Sequence, residues 1–271
     1  MSQSFLRPLR SSWSRSWCIT RTHKQSTRSF AKPFLWGAVS IFSAAYAVQS
    51  TMTLHLDAEP SLPDSGFEID PATSIAFPKT LHIPSKFPLP QFSLVGVGVR
   101  TVSFLGIKVY SVGFYADLAN PNLNIPMTAT PDEKIEHIVR NTACAIRIVP
   151  TRGTSYSHLR DGFMRALTAR MQLAHARATI TPEEEAAAQS PLRTLKSLFP
   201  TTSMSKGKPF DIILVAPLRS PSRPRTLVLR DMGSVENDWV SEEFVLAYFE
   251  GNGISPPLKK AVTERMQAFG K

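Results

Sequence analysis

Arg100 is the residue of this chain best placed to do chemistry. It stands in the stretch Leu94 to Leu118, LVGVGVRTVSFLGIKVYSVGFYADL, where two apolar, β-branched runs flank a turn at Leu105-Gly106. Such a pattern predicts a largely buried β-hairpin. A guanidinium keeps its proton and is costly to bury without acceptors. Arg100 therefore needs a partner, either a distant carboxylate of the protein or the acid group of a ligand.

Other chemistry-bearing groups are sparser. His158 and His175 are seventeen residues apart on one predicted helix. That places them about 25 Å apart along its axis, so they cannot share a metal. His158 stands near a predicted helix start, where a histidine ordinarily faces solvent. His82 and His137 are isolated, no HExxH or CxxC occurs, and the two cysteines, Cys18 and Cys144, lie in different regions; no metal site is expected. Gly96-Val97-Gly98 lacks the following helix and lysine of a phosphate loop. It reads as strand glycines that let another backbone or a ligand approach closely. Glu183-Glu184-Glu185 complements a helix N-terminus, and Ser222 to Arg225 reads as an exposed hairpin turn.

The elements that must position Arg100 follow from the pattern around it. Strands are predicted at 80–83, 94–104 and 107–116, then a helix from Thr130, with Pro131 in its first turn and acids following, to near Arg140. A strand follows at 144–149. Thr154 is placed to cap a long helix to about Arg177, whose apolar positions Leu159, Phe163, Leu167, Met171 and Ala174 recur at helical spacing. A second helix starts at Thr181 and is interrupted or kinked near Pro191. A strand pair at 210–216 and 226–229 and two C-terminal helices, 241–249 and 255–268, complete the order β-β-β-α-β-α-α-β-β-α-α. Strands mostly in hairpins with helices segregated from them predict an α+β domain, an antiparallel sheet packed against a layer of helices.

Charge is unevenly distributed. The chain of 271 residues carries a net +10, yet residues 1 to 56 hold seven arginines and lysines and no acid, which leaves +3 (10 less 7) for the rest. A nucleic-acid-binding stripe is not supported. Residues 1–30, rich in arginine and serine with interspersed aromatics, have the composition of a mitochondrial transit peptide. Phe34 to Val48 is uncharged, and its extension through Leu56 gives about 20 residues, enough to span a bilayer. Residues 34–56 are thus predicted as a transmembrane anchor; a longer cleaved leader or a buried N-terminal helix are the competing readings. Lys32 before the anchor and Asp57 and Glu59 after it orient the following domain toward the intermembrane space. Residues 57–75 read as a proline-rich linker, and 76–271 as a single domain.

Three segments in this order resemble the chalcone isomerase family. GVGVRT followed by IKVYSVGFYAD is similar to its paired strands, TRGTSYSHLRDGF to its loop-to-helix segment with an active-site tyrosine, and FVLAYFEGNGISPPLKKAVTERM to its C-terminal helix pair. The leader and anchor point to the fungal "altered inheritance of mitochondria" branch. The resemblance implies that Arg100 holds an oxyanion and that Tyr156 orients a carbonyl. It also marks departures: Tyr110 and Tyr248 stand where threonine or serine is expected, and an expected asparagine falls at about Gly162 or Phe163. Those changes reshape a flavonoid-sized cleft and remove a donor, so efficient chalcone isomerisation is not expected. The resemblance further implies an apolar anionic ligand, with Arg100, Tyr110, Tyr156 and Tyr248 at the mouth of the site. Members of the wider family bind fatty acids, and mitochondrial relatives are associated with haem, whose propionates would pair with an arginine and for which His158 is the candidate ligand. Two alternatives stay open. One is an intramolecular lyase or isomerase on another substrate, with Arg100 and Tyr156 catalytic. The other is a non-catalytic scaffold at the mitochondrial inner membrane.

Overall fold

The structure is a computed structural model and describes residues 66–85, 88–102, 105–218 and 223–270. The predicted transit peptide and anchor lie outside these residues. Everything described falls within one compact unit, Ser61–Lys271. Among the described residues no helix is long and apolar enough to cross a membrane.

In chain order the strands are β1 (Phe67–Ile69), β2 (Ala76–Pro78), β3 (Thr80–Leu81), β4 (Phe92–Val102), β5 (Ile107–Ala116) and β6 (Cys144–Pro150). They continue as β7 (Thr154–Ser155), β8 (Ser203–Met204), β9 (Phe210–Leu214), β10 (Thr226–Leu229) and β11 (Gly233–Glu236). The helices are α1 (Pro131–Asn141), α2 (Tyr156–Ala176), α3 (Pro182–Leu198), α4 (Asp238–Leu246) and α5 (Pro256–Ala268). Seven strands form one antiparallel sheet in the order β11-β10-β9-β6-β5-β4-β3. The fold is α+β, as the order of elements implies.

Period-two alternation divides the sheet's side chains between two cores. Tyr110, Val112, Phe114 and Ala116 of β5, with Cys144, Ile146 and Ile148 of β6, join the helices in one cluster. Tyr115, Ala145 and Val149, from the same strands, pack with Phe77, Leu81 and Ile83 on the other face. The helices start where side-chain chemistry dictates. Thr130 and Thr181 each form a capping box, with Glu133 and Glu184 respectively, and each helix has proline in its first turn.

The glycines of β4 have a definite use. A Cβ on Gly98 would stand 2.2 Å from the backbone nitrogen of Leu258, and one on Gly96 would stand 2.8 Å from the Val262 side chain. They let α5 lie directly on the strand, so the close approach is that of another backbone. Ser255 caps α5 and donates its hydroxyl to the Val99 carbonyl at 2.8 Å.

Several boundaries differ from the sequence pattern. Residues from Gly66 onward, expected within a linker, are ordered: β1 pairs with β2. The turn between them buries Asp70, whose carboxylate accepts the hydroxyls of Ser111 at 2.6 Å and Thr73 at 2.7 Å. Those two hydroxyls, with the Ala72 amide at 3.0 Å, meet the hydrogen-bonding need of a buried carboxylate. Thr154 belongs to a short β7–β8 pairing, and the cap of α2 is Ser155. The third helix runs continuously through Pro191. The penultimate helix starts earlier, because Asn237 accepts the Val240 amide at 2.8 Å.

The expectation of an exposed turn at 222–225 fails for Arg225, which is 5% exposed. Its guanidinium donates to the carbonyls of Val139, Thr142 and Val215, and to Glu242. These acceptors lie just past β9, on α4 and at the end of α1, where no periodicity in the sequence could connect them.

Candidate functional site

Arg100 and Tyr110 are directly opposite each other on β4 and β5. Tyr110 belongs to the helix-side core, and Arg100 shares that side, two and four residues beyond the glycines on which α5 rests. Above them the turn from α4 into α5 brings the Ile254 carbonyl onto the guanidinium, which donates to it. Gly253 shapes that turn: its φ is +66°, and a Cβ there would meet the Tyr248 carbonyl oxygen at 2.0 Å. Arg100 is thus held by the main chain. Among the described residues no carboxylate pairs with it, and a guanidinium has five N–H donors, so capacity remains for an acid.

The remaining donors face a cavity of about 960 Å³, within the range of small-molecule sites. Its apolar wall includes Ile107 and Val109 of β5, Leu159 and Phe163 of α2, Met204 and Ile254. Its polar wall contains Arg100, Tyr110, Arg152, His158, Asp161 and Arg165. Asp161 is held by Arg160 at 2.9 Å, and that guanidinium keeps its carboxyl below the usual range. Arg100, Arg152 and Arg165 form no ion pair with a described carboxylate. Asp161 also attracts Arg165 across the wall, yet three arginines against one carboxylate leave the cavity net positive beside an apolar interior.

The three phenols expected at the mouth are placed differently from one another. Tyr110 is in the wall. Burial pushes its pKa up, with the Tyr248 hydrogen bond and the Arg100 charge pulling the other way. It remains a neutral donor beside the guanidinium at any ordinary pH. Tyr248 is wholly buried behind it, hydroxyl to hydroxyl at 3.4 Å, and burial holds its pKa well above the usual value. It supports Tyr110 without being part of the wall. Tyr156 is not in the wall either. Three residues before Leu159, it shares the buried side of α2, and its ring packs edge-on against Phe210 at 5.8 Å between centroids.

Arg152, His158 and Arg165 belong to the wall as well. Arg152 and His158 lie in the segment singled out for Tyr156, but no spacing rule reports which side of a loop-to-helix junction will face a cavity. Arg165 sits nine residues into α2. Its neighbour at helical spacing, Gly162, is the only hint that this side of the helix is open.

With the geometry in hand, known proteins give a consistent answer. The family model described as chalcone isomerase like matches residues 90–135 and 127–263, most of the chain. Altered inheritance of mitochondria protein 18 of Debaryomyces hansenii is 26% identical over 236 residues, covering 73% of this chain and 76% of that protein. An uncharacterized protein of Schizosaccharomyces pombe is 33% identical over 128 residues, 41% of this chain and 46% of the relative, so the match spans less than half of it. Among solved structures, an Arabidopsis thaliana fatty-acid binding protein superposes with a TM-score of 0.53 at 17% identity, covering 74% of this chain and 98% of that one. At that identity the likeness concerns the fold.

Proposed function

This chain belongs to the chalcone isomerase-like family, and from that premise we propose that it binds an apolar small molecule through an acid group paired with Arg100. The observation that carries the reading is the guanidinium itself. It is anchored on the Ile254 carbonyl, lacks a carboxylate partner among the described residues, and faces an apolar cavity. Tyr110 supplies a second, neutral donor beside it. A fatty acid is the simplest ligand with both properties. The name of the Arabidopsis neighbour accords with this reading.

The test is native mass spectrometry and an absorption spectrum of the full-length protein purified from its own mitochondria, beside Arg100→Gln. Glutamine keeps a polar amide at the site without the charge. Loss of the guanidinium should weaken oleate binding about 10- to 100-fold, a charged hydrogen bond being worth about 1.5–3 kcal/mol. Equal oleate affinity in the two proteins would refute the reading. Haem is a second reading, favoured by His158 standing in the same wall as Arg100. His158 would ligate the iron while Arg100 holds a propionate, and a Soret band lost in His158→Ala would establish it. An isomerase would draw on Arg100 and Tyr110, since Tyr156 is outside the wall. Turnover of enone acids abolished in Tyr110→Phe would establish that alternative.

The curated relatives carry mitochondrial names, and residues 1–30 have the composition of a transit peptide. We place the chain in mitochondria on that basis. Residues 34–56 are proposed to tether it to the inner membrane with the domain in the intermembrane space. Resistance to carbonate extraction, together with protease access only after the outer membrane is ruptured, is the expected result.

A further inference from the structure

Beyond the cavity, on the far side of Arg100, lies a second space of about 420 Å³ between α2 and the α4–α5 turn. Arg100, Gly162, Arg165 and Ile254 line both spaces, which makes these four residues a shared wall. Gly162 is the odd member. It sits inside α2, where glycine is a poorer helix former than alanine. Nothing lies within 4 Å of where its Cβ would stand, and its φ is not in the left-handed region. Neither packing nor backbone conformation calls for glycine there. Its effect is to leave the boundary between the two spaces free of a side chain.

Charge points the same way. Glu250, the carboxylate lining the smaller space, is already engaged by Arg170 at 2.7 Å and Arg177 at 3.2 Å. Arg165, present in both linings, forms no ion pair with a described carboxylate, and neither does Arg100. A carboxylate carries one charge and is satisfied by one guanidinium. A phosphate monoester carries about −1.5 to −2 at neutral pH and offers three strong acceptor oxygens, a match for two arginines that both line the boundary.

We propose that the two spaces form one bipartite site, open past Gly162, and that its ligand is a single-chain amphiphile with a phosphate-monoester head. The chain lies in the larger cavity, and the head sits between Arg100 and Arg165, extending into the smaller space. This rests on the binding reading given above and specifies the ligand class for the same site.

The test is calorimetric titration of the full-length protein with dodecyl phosphate and with dodecanoate, both as monomers. The expected result is at least about tenfold tighter binding of the phosphate, since a second charged pair engages only that head. The ratio should fall below threefold in Arg165→Gln and in Gly162→Leu, whose side chain would close the boundary. It should persist in Arg193→Gln, an exposed arginine outside both spaces that controls for net charge. Equal affinity for the two probes in the wild type would overturn the head-group assignment while leaving the binding function intact. Binding of neither probe would overturn both. A preference that survives in both Arg165→Gln and Gly162→Leu would locate the phosphate elsewhere, for example on the basic N-terminal residues, and would also overturn the proposal.

Discussion

Alanine at position 98 tests how the last helix and the candidate site depend on each other. The added Cβ would stand 2.2 Å from the Leu258 nitrogen and 2.6 Å from its Cα. Ordinary contact begins near 3.4 Å, so the first turn of α5 must retreat by about 1.2 Å (3.4 less 2.2) or β4 must bend away. These are main-chain atoms, and no side-chain rotation can relieve the overlap. Overpacking of this kind costs about 1–3 kcal/mol. A shift of that size also breaks the 2.8 Å bond from Ser255 to Val99, worth about 1 kcal/mol more. Gly98→Ala should therefore destabilise by about 3 kcal/mol, which for a domain of this size lowers Tm by roughly 6–12 °C. Because Ile254 precedes the displaced turn, its carbonyl leaves Arg100, and oleate affinity should fall as well. Differential scanning fluorimetry with and without oleate measures both effects. A Tm within 2 °C of wild type, with affinity unchanged, would refute the claim that the helix backbone rests on this glycine.

Arg225→Met removes the donor to the carbonyls of Val139, Arg140, Thr142 and Val215 and to Glu242. Breaking a buried charged network costs about 3–5 kcal/mol, and the urea midpoint should drop by at least about 1 M; an unchanged midpoint would contradict the role given to this arginine. Cys144 is fully buried, and that burial pushes its thiol from an ordinary 9.0 up to about 12. The folded value lies above the unfolded one, so the stability this thiol contributes is complete below about pH 9 and declines as pH rises toward 12. In a Cys18→Ser background, iodoacetamide at pH 8 should leave Cys144 unmodified until urea unfolds the protein; rapid labelling of the native protein would show that the thiol is accessible.

Much of the frame was legible because local chemistry and global structure agree. The hairpin predicted at 94–104 and 107–116 is β4 and β5, observed at Phe92–Val102 and Ile107–Ala116. The Thr130 and Thr181 starts are capping boxes whose two members are written three residues apart in the sequence. The strand glycines and Arg100 could also be singled out, since each breaks the apolar rule of its own strand. What could not be read depends on contacts between distant segments. The hairpin pattern implies burial for Arg100, whereas the Ser222 to Arg225 pattern implies exposure for Arg225, and neither names an acceptor. The structure half-buries the first on one carbonyl and fully buries the second among acceptors from several elements. Tyr156 was placed at the site by resemblance, yet a rotation about α2 set by Leu159 and Phe163 directs its ring to Phe210. Strands of two residues, such as β7 and β8, carry no periodicity at all.

The bond from Arg100 to the Ile254 carbonyl has a thermodynamic consequence. It joins the residue that would meet a ligand's acid group to the residue immediately before the cap of α5. Occupancy of the cavity and seating of the C-terminal helix are then linked equilibria, and whatever binds only the seated form holds the helix down by mass action. At a hundredfold excess over Kd that linkage is worth about 2.7 kcal/mol, enough to lower the population of the opened helix about a hundredfold. Backbone amides from Leu258 onward would serve as a native reporter of occupancy. Their hydrogen exchange would register a ligand that has no colour, no fluorescence and no known reaction.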